Sequence, residues 1–356
     1  MNVGRLLFPA LRWDPARGFD HEAARIDAAL ARGVGGFIVF GGEPEAVRAL
    51  VAELRRRASA PLLFASDLER GAGQQFAGAT SLPPAAALGA LDDLEATRRA
   101  GELTAREARA IGIDWIYAPV ADLDLEPRNP IVGVRAFGPD PEHVARHVAA
   151  WIEGCRRGGA LSCAKHFPGH GRTTADSHAE LPAVDAARPA LEAEDLVPFR
   201  AAVRAGADSL MTAHVAYPAL DPTGAPATLS RPIVTDLLRR ELGFDGLVVT
   251  DALIMEGVLE AGRGEAEAAV RALAAGCDAL LCPADLESVA VALEEAAGRR
   301  VSRERIAEAV GRVEAAAARA ARSAAPGGWG REEDRDWALQ LALRTLRVAG
   351  AGRPRL

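Results

Sequence analysis

Lysine is almost absent from this chain: Lys165 is the only one, and every other member of its 42 basic residues is arginine. An ammonium is a compact, rotatable donor, whereas a guanidinium is a bulky planar fork. A position that stays lysine amid arginines therefore points to a small pocket holding a hydroxyl or carboxylate. Long apolar runs are missing too. None approaches the ~18 residues of a membrane span, and the N-terminal MNVGRLLFPALRWDPARG meets Arg12, Trp13 and Asp14 too soon for a signal-peptide core. The expectation is a cytoplasmic protein with no membrane contact. Cysteine is scarce. Cys155, Cys163, Cys277 and Cys282 lie in apolar surroundings without CxxC spacing and read as reduced core thiols, not as a disulfide or zinc framework. No basic stripe exists either: the net charge is −7 and the arginines are scattered, which argues against a nucleic-acid partner.

With 49% hydrophobic and 26% charged residues, the chain has the composition of a globular protein with a full core. Eight short apolar runs bounded by turn signals recur at residues 5–11, 36–40, 62–66, 115–120, 160–166, 209–214, 247–250 and 279–282. Amphipathic helical stretches fill the gaps, for example 43–58, 95–111, 141–157, 193–205, 231–242, 265–275 and 286–297. Eight alternating units predict an α/β fold, a single (β/α)8 TIM-type barrel. A doubly wound open sheet is the competitor, but it would carry a Gly-rich phosphate loop after an early strand, and none is present. Residues 1–325 are expected to form the barrel and its outer helices. Residues 326–356 would supply a further C-terminal helix and tail, and all the C-terminal helices are expected on the barrel exterior.

In such a barrel the active site collects where the strands end. Asp67 follows the third apolar run, Asp122 the fourth, Lys165 and His166 close the fifth, His214 the sixth, and Asp251 follows the seventh. Any one of these has a plain explanation as a helix cap or a hydrogen-bonded core residue. Five strands placing ionisable groups on one rim are less easily accidental.

Lys165 lies in CAKHFPGHGRTTADSH, which also holds His166, His170 and His178. Its glycines, Thr173, Thr174 and Ser177 make a loop long enough to fold over the barrel mouth with Asp176 and His178. Asp-x-His puts a carboxylate within reach of an imidazole, fixing its tautomer and raising its basicity, which suits a proton carrier at neutral pH. A metal set built from His166, His170, His178 and Asp176 is disfavoured, because Pro168 and Gly169 preclude the helical His pair of metalloproteases. Asp251, in GFDGLVVTDALIMEGV, passes straight from an apolar strand into a turn, so its carboxylate has little freedom. A fixed carboxylate beside a proton carrier suits glycoside cleavage. Asp67, Arg135, Lys165 and His166 would then hold sugar hydroxyls.

Three segments, KHFPGHGRTTADSH, NPIVGVRAFG and FDGLVVTDALIMEGV, resemble glycoside hydrolase family 3, specifically its β-N-acetylglucosaminidase branch. The resemblance runs from residue 37 to about residue 281. It implies a retaining, two-step hydrolysis of terminal β-linked N-acetylglucosamine, from peptidoglycan fragments in the cytoplasm, with Asp251 as nucleophile and His178, paired with Asp176, as acid/base. It implies that Asp67, Arg135, Lys165 and His166 bind the terminal sugar. Gln75, His214 and Met255 are counted with them as substrate-binding positions. No metal or organic cofactor is implied, and the partner is a small glycoside or muropeptide, with no obligate protein. One stretch departs from the branch, which shows D-x-E-G-G-R-V-x-R-F after the third strand. Here it reads DLERGAGQQF, with Arg70 for glycine and Ala72 and Gln75 for the two arginines. Substrate preference is therefore less fixed than reaction type. The alternatives are a phosphorylase, a β-glucosidase-type hydrolase on the same site, a metal-dependent hydrolase and a barrel that binds sugar without turning it over.

Overall fold

The computed structural model describes residues 2–177, 180–322 and 327–351. Nine strands, all parallel, follow in chain order: β1 (Leu7–Phe8), β2 (Ala10–Arg12), β3 (Gly36–Phe40), β4 (Leu63–Ser66), β5 (Trp115–Ile116), β6 (Leu161–Phe167), β7 (Ser209–Thr212), β8 (Leu247–Ala252) and β9 (Ala279–Leu281). Their order in the sheet is β1-β9-β8-β7-β6-β5-β4-β3-β2. The two outermost strands are halves of one segment split at Pro9. Its first half pairs with β9 and its second with β3, while the Leu7 and Pro9 carbonyls accept from Gly35 and Ile38 and the Phe8 carbonyl from Cys282. Proline has no N–H to donate, so it divides the strand while its carbonyl still closes the ring. The expected α/β barrel is thus present, its first strand bent.

Side-chain alternation builds the core. Inward positions two apart, Leu63 and Ala65, Trp115 and Tyr117, Leu161 and Cys163, Leu247 and Val249, fill the barrel in one buried cluster. Outward neighbours such as Phe37, Phe64, Ile116, Ala164, Leu210 and Val248 belong to the second cluster, which packs under the helices. Those helices have readable starts. Asp93 caps Leu94–Ile111 by accepting from the Ala96 N–H, and Asp140 caps Pro141–Arg157 by accepting from His143, with Pro141 at the first position. The two helices cross at backbone contact, since a Cβ on Gly154 would lie 1.9 Å from the Arg98 carbonyl oxygen.

One expectation about the C-terminal helices needs correcting. Arg303–Arg322 places Val313, Ala317 and Ala320 in the same cluster as the barrel interior, so it plugs the end where the strands begin. That end is riveted by aspartates that immediately precede strands: Asp114 pairs with Arg55 and Arg109, Asp208 with Arg319, and Asp278 with Arg239, Arg305 and Arg312. Glu332–Ala351 packs on Ala85–Leu91. Its approach is fixed by buried Glu107, which accepts from the Gly330 N–H and from both the N–H and hydroxyl of Thr80. Among the described residues no helix is long and apolar enough to cross a membrane.

Candidate active site

At the opposite end of the barrel a cavity of about 490 Å³ opens where the strands finish. Tyr117, Met211, Ile38, Leu281 and Cys282 line its floor, and Asp67, Glu69, Arg135, Lys165, His166 and Asp251 its charged wall. Strand periodicity explains which side chains arrive there. Asp67, Lys165 and Asp251 each stand two residues beyond an inward core position, Ala65, Cys163 and Val249, and so continue the inward stripe into the cavity. His166 follows Lys165 directly and ought to face the helices. It reaches the cavity because the pairing with β7 slips between Lys165 and Phe167, giving the strand one extra residue. A second slip lies between Val249 and Ala252, around Asp251. Bulges of this kind re-aim side chains at active sites.

Lys165 is buried, with 3% of its side chain exposed, and its Nζ lies 2.6 Å from an Asp67 carboxylate oxygen and 2.8 Å from Glu69. Glu69 in turn accepts both arms of Arg135, at 2.7 and 3.0 Å. Burial alone would raise the Glu69 pKa, but the Lys165 ammonium and Arg135 guanidinium outweigh it and hold the carboxylate well below its ordinary range. Burial opposes the charge on Lys165 too, and Asp67 and Glu69 more than restore it, so its pKa stands above the ordinary value. The result is a locked chain of alternating charge, Asp67–Lys165–Glu69–Arg135, along one wall.

In the segment that follows β5, Asp122 is fully buried and organises the histidine loop. His166 donates from Nδ1 to its carboxylate at 2.6 Å, and the backbone N–H of His170 donates to it at 2.7 Å. Burial opposes ionisation of Asp122, yet the charges of His166 and His170 and these bonds hold its pKa low. With Nδ1 so engaged, His166 has its other ring nitrogen for the cavity. His170 ties the loop further, its Nδ1 2.8 Å from the Thr173 hydroxyl and its Nε2 3.1 Å from that of Ser177. Ser177 lines the cavity and its carbonyl accepts from Gly257. A Cβ on Gly257 would lie 2.9 Å from that oxygen, so glycine permits the approach of the helix Glu256–Gly262 to the loop.

Asp251 is partly exposed to the cavity and forms no ion pair among the described residues, in contrast to the aspartates at the barrel's other end. One oxygen accepts from the Ala252 N–H at 2.7 Å. Burial raises its pKa, but His166, His214, the Ala252 N–H and Lys165 together bring it below the ordinary carboxylate value. It is a fixed, ionised carboxylate with an oxygen open to the cavity.

The other expected positions divide. Gln75 lines the cavity with its amide oxygen turned to the Gly41 N–H at 3.0 Å, which leaves its NH2 as a donor. Arg70 lines it also, exposed, its backbone N–H donating to the Gln74 side chain at 2.9 Å and its carbonyl accepting from Leu82. His214 and Met255 are buried and stand behind the wall. His214 donates from Nε2 to the Ala252 carbonyl at 3.1 Å, with its Nδ1 2.8 Å from Thr228, and Met255 donates its N–H to the same carbonyl. Both brace the turn that carries Asp251. Burial lowers the His214 pKa, against the opposing pull of the Asp251 carboxylate. Asp176 is half-buried in the loop, outside the cavity wall. His178 lies outside the described residues. Glu69 and Tyr117 carry more of the site than their sequence context signals, whereas Asp122 is marked by its place after the fourth apolar run. The one usable hint was spacing: Glu69 two after Asp67, and Tyr117 two after inward-facing Trp115.

Comparison with known proteins identifies the family. The model of the glycosyl hydrolase family 3 N-terminal domain matches residues 18–316. A β-hexosaminidase of Chromobacterium violaceum is 43% identical over 270 residues, covering 73% of this chain and 74% of the relative. A solved family 3 β-N-acetylglucosaminidase from Paenibacillus sp. str. FPU-7 superposes with a TM-score of 0.88 at 35% identity, covering 97% of this chain and 68% of that one. The β-glucoside phosphorylase BglX, solved bound to 2FGlc, also gives 0.88, at 27% identity, covering 96% of this chain and 64% of that one. Sequence and fold thus coincide over nearly the whole barrel, and the chain belongs to glycosyl hydrolase family 3.

Proposed function

We propose that this glycoside hydrolase is a retaining exo-β-N-acetylglucosaminidase that releases terminal β-linked N-acetylglucosamine from small glycosides, muropeptides among them. The observation that carries the reading is Asp251: an ionised carboxylate, held by its own strand end, open to a blind cavity and faced by the Lys165 and His166 cluster. Asp251 attacks the anomeric carbon as the bond to the aglycone oxygen breaks. His178, held by Asp176, gives that oxygen its proton. Water then attacks the glycosyl-enzyme, His178 takes a proton back, and the Asp251–sugar bond breaks with net retention. Asp67, Glu69 and Arg135 hold hydroxyls of the terminal ring, and the closed floor at Tyr117 and Met211 admits a chain end, not a chain interior. The sugar preference is supported by the names of the β-hexosaminidase relatives.

The test is chromophore release from the aryl β-glycosides of N-acetylglucosamine and of glucose, side by side, with and without inorganic phosphate and a chelator. Fast, phosphate-independent turnover of the N-acetyl substrate is expected. The structural match to a β-glucoside phosphorylase favours one second reading, in which phosphate replaces water. A rate that rises with phosphate would select it.

A further inference from the structure

On the outer wall of the barrel, away from the cavity, three side chains converge from two elements. His143 and His147 stand one turn apart on the helix Pro141–Arg157. Asp92 is the residue at which the helix Ala85–Leu91 ends, in a left-handed conformation with φ 49°. Asp92 Oδ1 is 3.4 Å from His143 Nδ1 and 3.6 Å from His147 Nε2, and all three donor atoms lie within 4.8 Å of one another. None of the three lines the active-site cavity.

We propose that Asp92, His143 and His147 form a binding site for a late first-row divalent cation, zinc above all. Ligands about 2.0–2.1 Å from a tetrahedral ion stand about 3.3 Å apart, and two of the three donor pairs are already near that spacing. A second observation is independent of it. His147 is fully buried, and its Nε2 has no hydrogen-bond partner. A buried polar atom left unpaired is costly and calls for an explanation. The ring's other side fixes which nitrogen is bare. Thr97 Oγ1 lies 2.8 Å from Nδ1 and donates to the Asp93 carbonyl at 3.3 Å. With the hydroxyl proton committed there, Nδ1 carries the ring proton and Nε2 presents its lone pair towards Asp92. Such an outer partner is what orients a metal-binding histidine. The competing cation is Arg146, whose guanidinium lies 3.3 Å from His143 Nδ1 and 3.8 Å from Asp92. Its side chain is half exposed and has solvent to swing into.

The site has a bearing on the active centre. The Phe137 ring stacks on His147 at 5.1 Å and 20°, and Phe137 lies two residues from Arg135 on the cavity wall. A cation there clasps the end of Ala85–Leu91 to the first turns of Pro141–Arg157, on either side of the segment that delivers Arg135. Zinc would therefore act as a clasp for that segment and take no part in bond cleavage.

The experiment uses the full-length, untagged chain, stripped with a chelator and desalted, then titrated with Zn2+ by calorimetry and with Co2+ by visible absorption. One equivalent is expected to bind and to raise the unfolding midpoint. His143→Ala, at a partly exposed position that should not disturb folding, is expected to weaken binding about a hundredfold or more and to remove the rise in midpoint. Asp92→Asn should weaken it too, and Thr97→Val about tenfold to a hundredfold. Failure of the parent chain to bind, or binding of equal strength in both His143→Ala and Asp92→Asn, overturns the proposal. The latter result would place the metal among the histidines of the active site instead.

Discussion

Exchanging Lys165 for arginine keeps the charge and isolates the shape argument. The ammonium stands between two carboxylates, 2.6 Å from Asp67 and 2.8 Å from Glu69, with its side chain 3% exposed. Glu69 is already filled by the fork of Arg135. A second guanidinium would have to share that carboxylate edge, and its extra bulk would project into the cavity proposed to take the sugar. The loss of one charge-assisted hydrogen bond to a sugar hydroxyl is worth about 1.5–3 kcal/mol, which multiplies KM by about 10 to about 150. Steady-state kinetics on an aryl N-acetyl-β-glucosaminide reads this directly. Thermal unfolding must run alongside, because over-packing a buried site costs about 1–3 kcal/mol on its own. A folded Lys165→Arg protein with the parent KM and kcat would refute the claim that the pocket requires a compact donor.

Three further outcomes follow from the same framework. His178→Ala should slow aryl glycosides with poor leaving groups far more than those with good ones, since only the former need a proton on the departing oxygen; equal losses would count against His178 as the acid. Glu69→Gln should cost about 3–5 kcal/mol at pH 7 by stranding the buried Lys165 and Arg135 charges. Because the native Glu69 pKa lies below its ordinary 4.5, the wild-type advantage is complete above about pH 4.5 and wanes as pH falls towards the native value. Urea unfolding at pH 7 and pH 3 tests this, and a pH-independent difference would contradict it. Glu107→Ala leaves the Thr80 and Gly330 donors unpaired in the core, so a loss of about 2–4 kcal/mol is expected from equilibrium unfolding, and a value near zero would show that water replaces the carboxylate.

The barrel was legible because its signal is repetitive. Eight apolar runs each bounded by turns leave few other architectures, and the ionisable residues at their ends mark the mouth. Irregular features were not legible, for physical reasons. Period-two alternation places Lys165 inward and His166 outward, and the slip in pairing that turns both towards the cavity leaves no mark in composition. The run at residues 115–120 reads as one strand, but regular pairing ends at Ile116 and returns only as a single bridge between Val120 and Lys165, the stretch between them holding Pro119, which has no N–H to donate. The helix Arg303–Arg322 is amphipathic, and that property is the same whether its apolar side covers a sheet or plugs a barrel end. His214 and Met255 look like wall residues by position, yet both serve the Ala252 carbonyl beneath Asp251. The Asp92, His143 and His147 cluster escapes notice because its carboxylate and imidazoles come from separate helices.

The central claim is that Asp251 becomes covalently attached to the sugar. Treating the protein with a 5-fluoro N-acetylglucosaminyl fluoride, then measuring intact mass and mapping peptides, addresses it directly. One adduct per chain on the peptide carrying Asp251, absent from a folded and inactive Asp251→Ala protein, is the predicted result. An adduct on another residue, or substantial turnover by Asp251→Ala, would contradict the account.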